Sequence, residues 1–535
     1  METARTRTAT VIGAEGHLIE VEADVAPGLP ATILTGLPDT VLREARDRVR
    51  AAIINSGEHW PSAKVIVGLR PAALPKRGSA YDLAIAIAIM AANGDLPAPA
   101  EAVMFLAELG LDGRLRPVPG VLPAALTAAG SEMTTIVVAT ANQAEASLVP
   151  GLTVIAADNL SGVAAWLRGG PPPQPEPPGP GSGDGPVPPR PQQDLADVPG
   201  QAEARRALEV CAVGGHHLSL LGPMEAGATM LADRLPSILP PLEAAAALEV
   251  ASIHSVAGMR PPGIGLVTTP PFVAPHHTCS KAAVIGGGSG LIRPGAASLA
   301  HRGVLFLDQA PEFARDVLDT LRQPLESGKV VIARSSGQAT FPARFTLVLA
   351  ASPCPCTATV AAAQEGTACR CSPAARRYLG RLSGPLVDRV SVKVSLQPAS
   401  REGLLTGRAS GEPSAVVAQR VAAARERSAA RLARTPWRLN AEIPGLALRR
   451  AFPPAAGSLR PLERAMELGR VSARGADQIV GVAWSLADLA AKDRPGPDEI
   501  RLAIELWSGA TPHLSGAAAA AWQDAGGQAN RSPAD

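Results

Sequence analysis

The chain has 535 residues, enough for two or three domains that each bury a core of their own. A formal net charge of +2 rules out a polycation that would coat nucleic acid unaided. Only six of the 50 basic residues are lysine, and arginine forks well onto phosphate and carboxylate. A GC-rich genome yields the same bias, so the arginine excess decides nothing.

Met1 to Val21 carries early arginines but no apolar stretch followed by a small-residue cleavage site, so no signal peptide is expected. The longest apolar run, Leu83–Ala92, is about half of the roughly 20 residues a bilayer demands. The expectation is a soluble, cytoplasmic chain with no membrane partner. In a reducing compartment the six cysteines are not a disulfide framework.

In chain order, Ala31–Thr35, Lys64–Leu69, Val103–Glu108 and Thr135–Val138 read as strands, and Val41–Asn55, Leu83–Ala92 and Val121–Ala129 as helices. That mixture predicts an α+β or α/β unit over 1–168. A Pro/Gly tract at 169–192 offers almost nothing to bury and reads as a semi-extended linker. Beyond it, His217–Leu221, Gly303–Leu307 and Phe345–Ala351 are apolar strand candidates of a second α/β unit, 193–398. An Arg- and Ala-rich stretch with helical spacing, 399–509, predicts an all-α module, and 510–535 a low-complexity tail.

The informative stretch is His217–Met230, HLSLLGPMEAGATM: an apolar strand, a glycine loop, then a helix. That is the context of a P-loop, whose backbone N–H groups and helix N-terminus cradle phosphates while a lysine charges them and a hydroxyl holds Mg²⁺. Gly222, Gly227 and Thr229 have the right spacing, but Ala228 stands where the lysine belongs, and Glu225 places an anion in the loop. Some 80 residues on, GVLFLDQAPEF ends an apolar run on Asp308, a candidate Mg²⁺ ligand. Gln309 follows where a glutamate would polarise the attacking water; an amide can hold a water but cannot take its proton.

Motifs around these two segments resemble the YifB/ComM family of magnesium-chelatase-related AAA+ ATPases. They include Asp197-Val198-Pro199-Gly200-Gln201, Pro275-His276-His277-Thr278, Gly286-Gly287-Gly288 and Ser298-Leu299-Ala300-His301. Pro324–Gly328, Arg381–Arg389, Gly36-Leu37-Pro38-Asp39, Glu44–Ile53 and Leu111–Val118 continue the match, which runs over roughly 8–505. The resemblance implies a P-loop AAA+ core with a helical lid, preceded by a ribosomal-S5/Lon-protease-like domain. It also implies ATP and Mg²⁺ as ligands and a homo- or hetero-oligomeric ring with ATP bound between subunits. Carried over by motif, Arg389 is the arginine finger, Arg474 the sensor-2 arginine of the lid, and Ser352 stands in place of the sensor-1 asparagine. Trp484 occupies a position where a lid arginine is usual.

With Ala228, Gln309 and Ser352 all departing at one site, the expectation is a pseudo-ATPase: a ring subunit that acts on DNA or on partner subunits. The alternatives are a DNA branch-migration motor that still hydrolyses ATP, and a non-catalytic scaffold.

Four thiols form two C-x-C pairs, Cys354 with Cys356 and Cys369 with Cys371; they could close a structural Zn²⁺ site or remain free. The resemblance places His276 and His277 in a hairpin insertion near the pore, where Lys281 and Arg293 could meet a nucleic-acid backbone; the histidines could equally be packing residues. A Lon-type dyad is not expected: Ala80 takes the serine position with Ser79 one place off, and no lysine lies in Gly120–Leu126. Arg420, Arg425, Arg427, Arg431, Arg434 and Arg438 read as a solvated helix face or, alternatively, a phosphate-contacting stripe.

Overall fold

The computed structural model describes residues 3–36, 39–76, 78–174, 193–223, 226–259, 265–288, 292–334, 337–352, 377–382, 384–396 and 411–509. Cys354, Cys356, Cys369 and Cys371, the four thiols expected to hold zinc or stay free, therefore lie outside the described residues, as do Glu225 and the C-terminal 510–535.

The first unit is a seven-stranded mixed sheet. Its strands are β1 (Ala4–Ile12), β2 (Glu15–Ala26), β3 (Ala31–Thr35), β4 (Lys64–Arg70), β5 (Val103–Leu106), β6 (Thr135–Ala139) and β7 (Thr153–Ala157), in the order β3-β4-β2-β1-β5-β6-β7. Helices α1 (Asp39–Asn55), α2 (Asp82–Ala92) and α3 (Val121–Ala129) cover it. The α2 sequence DLAIAIAIMAA is apolar all round, and the helix is correspondingly buried from Asp82 to Met90. One charged group goes down with it: Asp82, held by Arg48 through bonds of 2.8 and 3.2 Å. Burial pushes the Asp82 carboxyl up to about 6.

The second unit is a five-stranded, all-parallel sheet of β8 (Leu218–Leu221), β9 (Phe272–Val273), β10 (Val304–Leu307), β13 (Thr346–Ala351) and β14 (Val392–Ser395), ordered β9-β10-β13-β8-β14. Parallel strands are covered on both faces, which is why VLFL and TLVLAA read as continuous apolar runs. A hairpin, β11 (Lys329–Arg334) with β12 (Gly337–Pro342), precedes β13. Helices α4 (Ala202–Gly214), α5 (Ala228–Ile238) and α6 (Ala244–Ala257) complete the P-loop AAA+ core.

The third region is helical, with α7 (Ser414–Leu432), α8 (Ala473–Leu489) and α9 (Pro497–Ser508) as its long members. It is not a detached cap. Leu208 and Val213 of α4 share one continuous hydrophobic cluster with Val421, Ile479, Val482 and Ile500 of the helical region.

Polar pairing reinforces that joint. Asp488, 1 % exposed, accepts from Arg431 at 2.5 and 2.7 Å and from Asn440 at 2.9 Å. Asn440 also donates to Ser485 Oγ, which contacts His216 Nε2 of the core at 2.8 Å. The Arg431 guanidinium lies 4.1 Å from the centroid of the Trp484 ring, and the indole N–H donates to the Phe452 carbonyl. Trp484, where a lid arginine is usual, is thus a core residue of the helical region.

The arginines of α7 are engaged within the chain. Arg420 pairs with Glu209 and Glu412, Arg425 donates to the Ala212 carbonyl, Arg427 to that of Asp488, and Arg431 grips Asp488. These four hold partners within the chain, which leaves no free phosphate stripe among them, while Arg427, Arg434 and Arg438 are exposed, as a solvated face would be.

Candidate nucleotide site and its two separated halves

At the C-terminal ends of β8, β13 and β10 the parallel register brings Gly222, Ser352 and Asp308 to one edge. The Gly222 N–H donates to the Ala351 carbonyl at 3.1 Å, so the residue after β13, Ser352, lies beside the start of the P-loop. A Cβ at Gly222 would come within 2.7 Å of the Leu396 Cβ, so the loop enters through a gap that only glycine fits. Gly227 is left-handed, φ 82°, and caps α5, whose free N–H groups face the loop.

Two magnesium-type ligands meet here: Thr229 Oγ1 donates to Asp308 Oδ2 at 3.2 Å. Gln309 follows in a left-handed conformation, φ 50°, and its backbone N–H donates to Asp308 Oδ1 at 2.9 Å. The frame of a phosphate site is present, with backbone donors at a helix N-terminus and a hydroxyl–carboxylate pair.

The charge that should neutralise the phosphates is missing from that frame. Ala228 opens α5 with a methyl group. Nearby cations among the described residues are engaged elsewhere. Arg234, one to two turns along the same helix, donates to the Asp194 and Met230 carbonyls and pairs with Asp197. Arg205 donates to the Val198 and Glu412 carbonyls. From the Asp197–Gln201 motif, the amide of Gln201 reaches the loop, donating to the Ala226 carbonyl at 3.0 Å. The described residues therefore fit a magnesium ion and a phosphate cradle.

Arg389 and Arg474 are not at this edge. Leu218 pairs with Val392 and Leu221 with Ser395, so Asp388 and Arg389 precede β14 at the end of the sheet opposite the P-loop. Arg389 contacts Glu326 and is mostly buried, with its Nε lacking a hydrogen-bond partner. Burial first, then Arg474 and Arg322, lower its pKa. Arg474 pairs with Asp388 at 3.0 Å, and Gln478, one turn along α8, donates to the Asp388 carbonyl at 2.8 Å. The structure thus brings Gly222, Gly227, Ala228, Thr229, Asp308, Gln309 and Ser352 together, and gathers Arg389 and Arg474 at a second, distant place.

Known proteins resemble this chain over most of its length. The family described as magnesium chelatase, subunit ChlI, matches residues 194–404; its C-terminal part matches 411–506, and a further ChlI subunit family matches 21–142. An uncharacterised protein of Mycobacterium tuberculosis (strain H37Rv) is 48 % identical, covering 94 % of this chain and 98 % of its own length. The protein YifB of Salmonella typhimurium is 40 % identical over 94 % of this chain and 97 % of its own. The competence protein ComM of Haemophilus influenzae is 38 % identical over 89 % and 92 %. The chain belongs to the YifB/ComM family of magnesium-chelatase-like AAA+ proteins.

Family membership brings with it the expectation of ATP and Mg²⁺ use. The structural Zn²⁺ expected of the C-x-C pairs finds no support. Among the described residues, no group of three or more His, Cys, Asp or Glu is placed to hold a metal ion, and Cys354, Cys356, Cys369 and Cys371 are not among those residues. Cys211 is buried and Cys279 half-buried, both free. His276 and His277 stack on each other with centroids 4.1 Å apart, and His276 contacts the Thr278 hydroxyl. No helix among the described residues is long and apolar enough to cross a membrane.

Two features were outside the sequence reading. His216, buried, and His217, half-buried, precede β8; desolvation, together with the Arg389 charge at His217, pulls their pKa values down to about 3 and about 4. Ser79 has a carboxylate partner after all: its hydroxyl donates to Glu108, 29 residues on.

Proposed function

We propose that this chain is a subunit of a AAA+ ring that no longer hydrolyses ATP in its own P-loop and that offers Arg389 and Arg474 to the nucleotide of a neighbouring subunit. The observation that carries the reading is Ala228 at the start of α5, with Arg234 of the same helix and Arg205 of the preceding helix both engaged elsewhere. Losing a catalytic base or a transition-state donor costs about 10²–10⁴ in rate each, so Gln309 and Ser352 compound the loss. The two arginines at the opposite end of the sheet support a role in trans, since they cannot serve the P-loop of their own chain. A relative named as a competence protein supports DNA processing as the setting.

The Thr229–Asp308 pair favours a second reading, in which nucleotide is held without turnover and acts as a switch. Titration with a fluorescent ATP analogue, with and without Mg²⁺, alongside phosphate release separates the two. The first reading expects neither binding below about 1 mM nor release. Binding without release establishes the switch, and steady release overturns both.

A further inference from the structure

Between the first sheet and the AAA+ core lies a cavity of about 260 Å³, remote from the P-loop. Its first-unit walls are the end of β1 from Ala9 to Ile12 with Gly13 after it, the turn Gly78–Tyr81, and Glu108; Val256, Ile292 and Ala339 close it from the core. The two units meet tightly around it. Gly13, φ +66°, lies so close to β12 that a Cβ there would come 2.2 Å from the Thr340 carbonyl oxygen, and the Gly120 N–H donates to the Ser255 carbonyl at 3.2 Å.

The lining is mostly apolar, and its polar atoms are biased towards acceptors. The Tyr81 O–H donates to Thr10 Oγ1 at 2.9 Å, and the Thr10 hydroxyl in turn donates to the Pro75 carbonyl at 3.2 Å. The Ser79 hydroxyl donates to Glu108. Three hydroxyl protons are thereby consumed within the wall, leaving oxygen lone pairs and a carboxylate to face the space. The Val118 N–H is taken by the Asn142 side chain, and that of Gly120 by Ser255. Gln338 contributes an amide that can serve either way.

Charge points in the same direction. Arg48, which senses Glu108, is committed by two hydrogen bonds to Asp82, and among the described residues no ion pair neutralises Glu108.

We infer that this interdomain cavity is a binding site for a primary ammonium group on a short aliphatic body, with Glu108 and the Ser79 and Thr10 oxygens receiving the N–H donors. The ammonium supplies the three donors the wall lacks, and the aliphatic part covers Val256, Ile292 and Ala339. Because both units form the walls, occupancy ties the first unit to the β11–β12 hairpin of the core. A free amine and the N-terminal residue of a peptide carry this chemistry equally.

The full-length chain is titrated calorimetrically with n-pentylammonium, with 1-pentanol and pentanoate as neutral and anionic counterparts. Pentylammonium is expected to bind with a dissociation constant below about 10 mM, a fragment-like affinity. Pentanol should bind at least tenfold more weakly, and pentanoate not at all. Glu108→Gln should weaken pentylammonium at least tenfold with pentanol unchanged, and Ala80→Phe, which fills the space, should remove both. Thermal melts of each variant confirm folding, and Ala80→Phe keeps the test open if Glu108→Gln fails to fold. Leucinamide against 1,4-diaminobutane then distinguishes a peptide N-terminus from a free diamine. Absence of pentylammonium binding, equal affinity for pentanol, or indifference to both substitutions would overturn the site.

Discussion

Ala228→Lys tests the nucleotide reading most directly. Position 228 is the first residue of α5, directly after left-handed Gly227, partly exposed and beside the Thr229–Asp308 pair. A lysine there starts from the helix N-terminus, at a half-buried position beside the Thr229–Asp308 pair. In the empty protein the new charge faces the positive end of a helix, a penalty of about 0.3–1 kcal/mol. With nucleotide bound it gains a charge-assisted hydrogen bond of about 1.5–3 kcal/mol. At about 1.4 kcal/mol per decade, affinity for a fluorescent ATP analogue with Mg²⁺ should rise roughly 10- to 150-fold.

Turnover should not follow, because Gln309 and Ser352 remain. Adding Gln309→Glu and Ser352→Asn should raise phosphate release by a further factor of about 10² or more, provided the chain assembles with copies that present Arg389. If Ala228→Lys leaves affinity within twofold of the parent while the protein stays folded, the missing lysine is not what disables the site, and the reasoning fails.

Three further outcomes follow from the packing. Asp488→Ala removes a buried carboxylate gripped by Arg431 and Asn440, and should cost about 3–5 kcal/mol in urea unfolding; Arg431→Met in the same chain should recover part of the loss. His216, His217 and His301, held down to about 3, 4 and 4 by burial, stay neutral in the fold while unfolded histidines protonate near 6.5. Their stabilisation is therefore complete above pH 6.5 and is lost as pH falls towards 4, by about 1.4 kcal/mol per histidine per pH unit. Asp82, raised to about 6, gains stability on acidification and offsets one of the three, so urea midpoints should still fall from pH 6.5 to 4.5; a flat profile contradicts the burial. Gly13→Val puts side-chain atoms onto the Thr340 carbonyl and should separate the first unit from the hairpin, read as faster hydrogen exchange at β12 with the P-loop strand β8 unchanged.

Much of the second unit is legible in the sequence because a parallel strand is covered on both faces and so appears as an unbroken apolar run. His217–Leu221, Gly303–Leu307 and Phe345–Ala351 each match a strand to within one residue. The first two strands are hidden by the opposite circumstance. In β1 the inward positions are Thr6, Thr8 and Thr10, all buried, while Arg5 and Arg7 alternate outward and pair with Glu22 and Glu20. A period of two is present, but written in threonine and arginine, it does not resemble a hydrophobic face. The arginines of α7 escape for a related reason: charge suggests solvent, and only the fold brings Glu209 and Asp488 within their reach.

The nucleotide site divides along the same line. Gly222, Thr229 and Asp308 are legible because a strand, a glycine loop and an acid at a strand end are local patterns. That Arg389 and Arg474 lie away from them is not local; it depends on the register of β14 against β8, some 170 residues apart in the chain. This separation has a consequence for how such a site can decay. Ala228, Gln309 and Ser352 cluster at one edge of the sheet, whereas Arg389 is held by Glu326 and Arg474 by Asp388 at the other. Substitutions at the P-loop edge therefore need not disturb the arginine edge. A ring subunit built this way can lose its own chemistry and still present both arginines to a neighbour. In a ring reconstituted with an ATP-hydrolysing homologue, Arg389→Ala in this chain should lower the neighbour's turnover, whereas Thr229→Ala in this chain should not. Equal effects of the two substitutions would mean that the two edges are not independent.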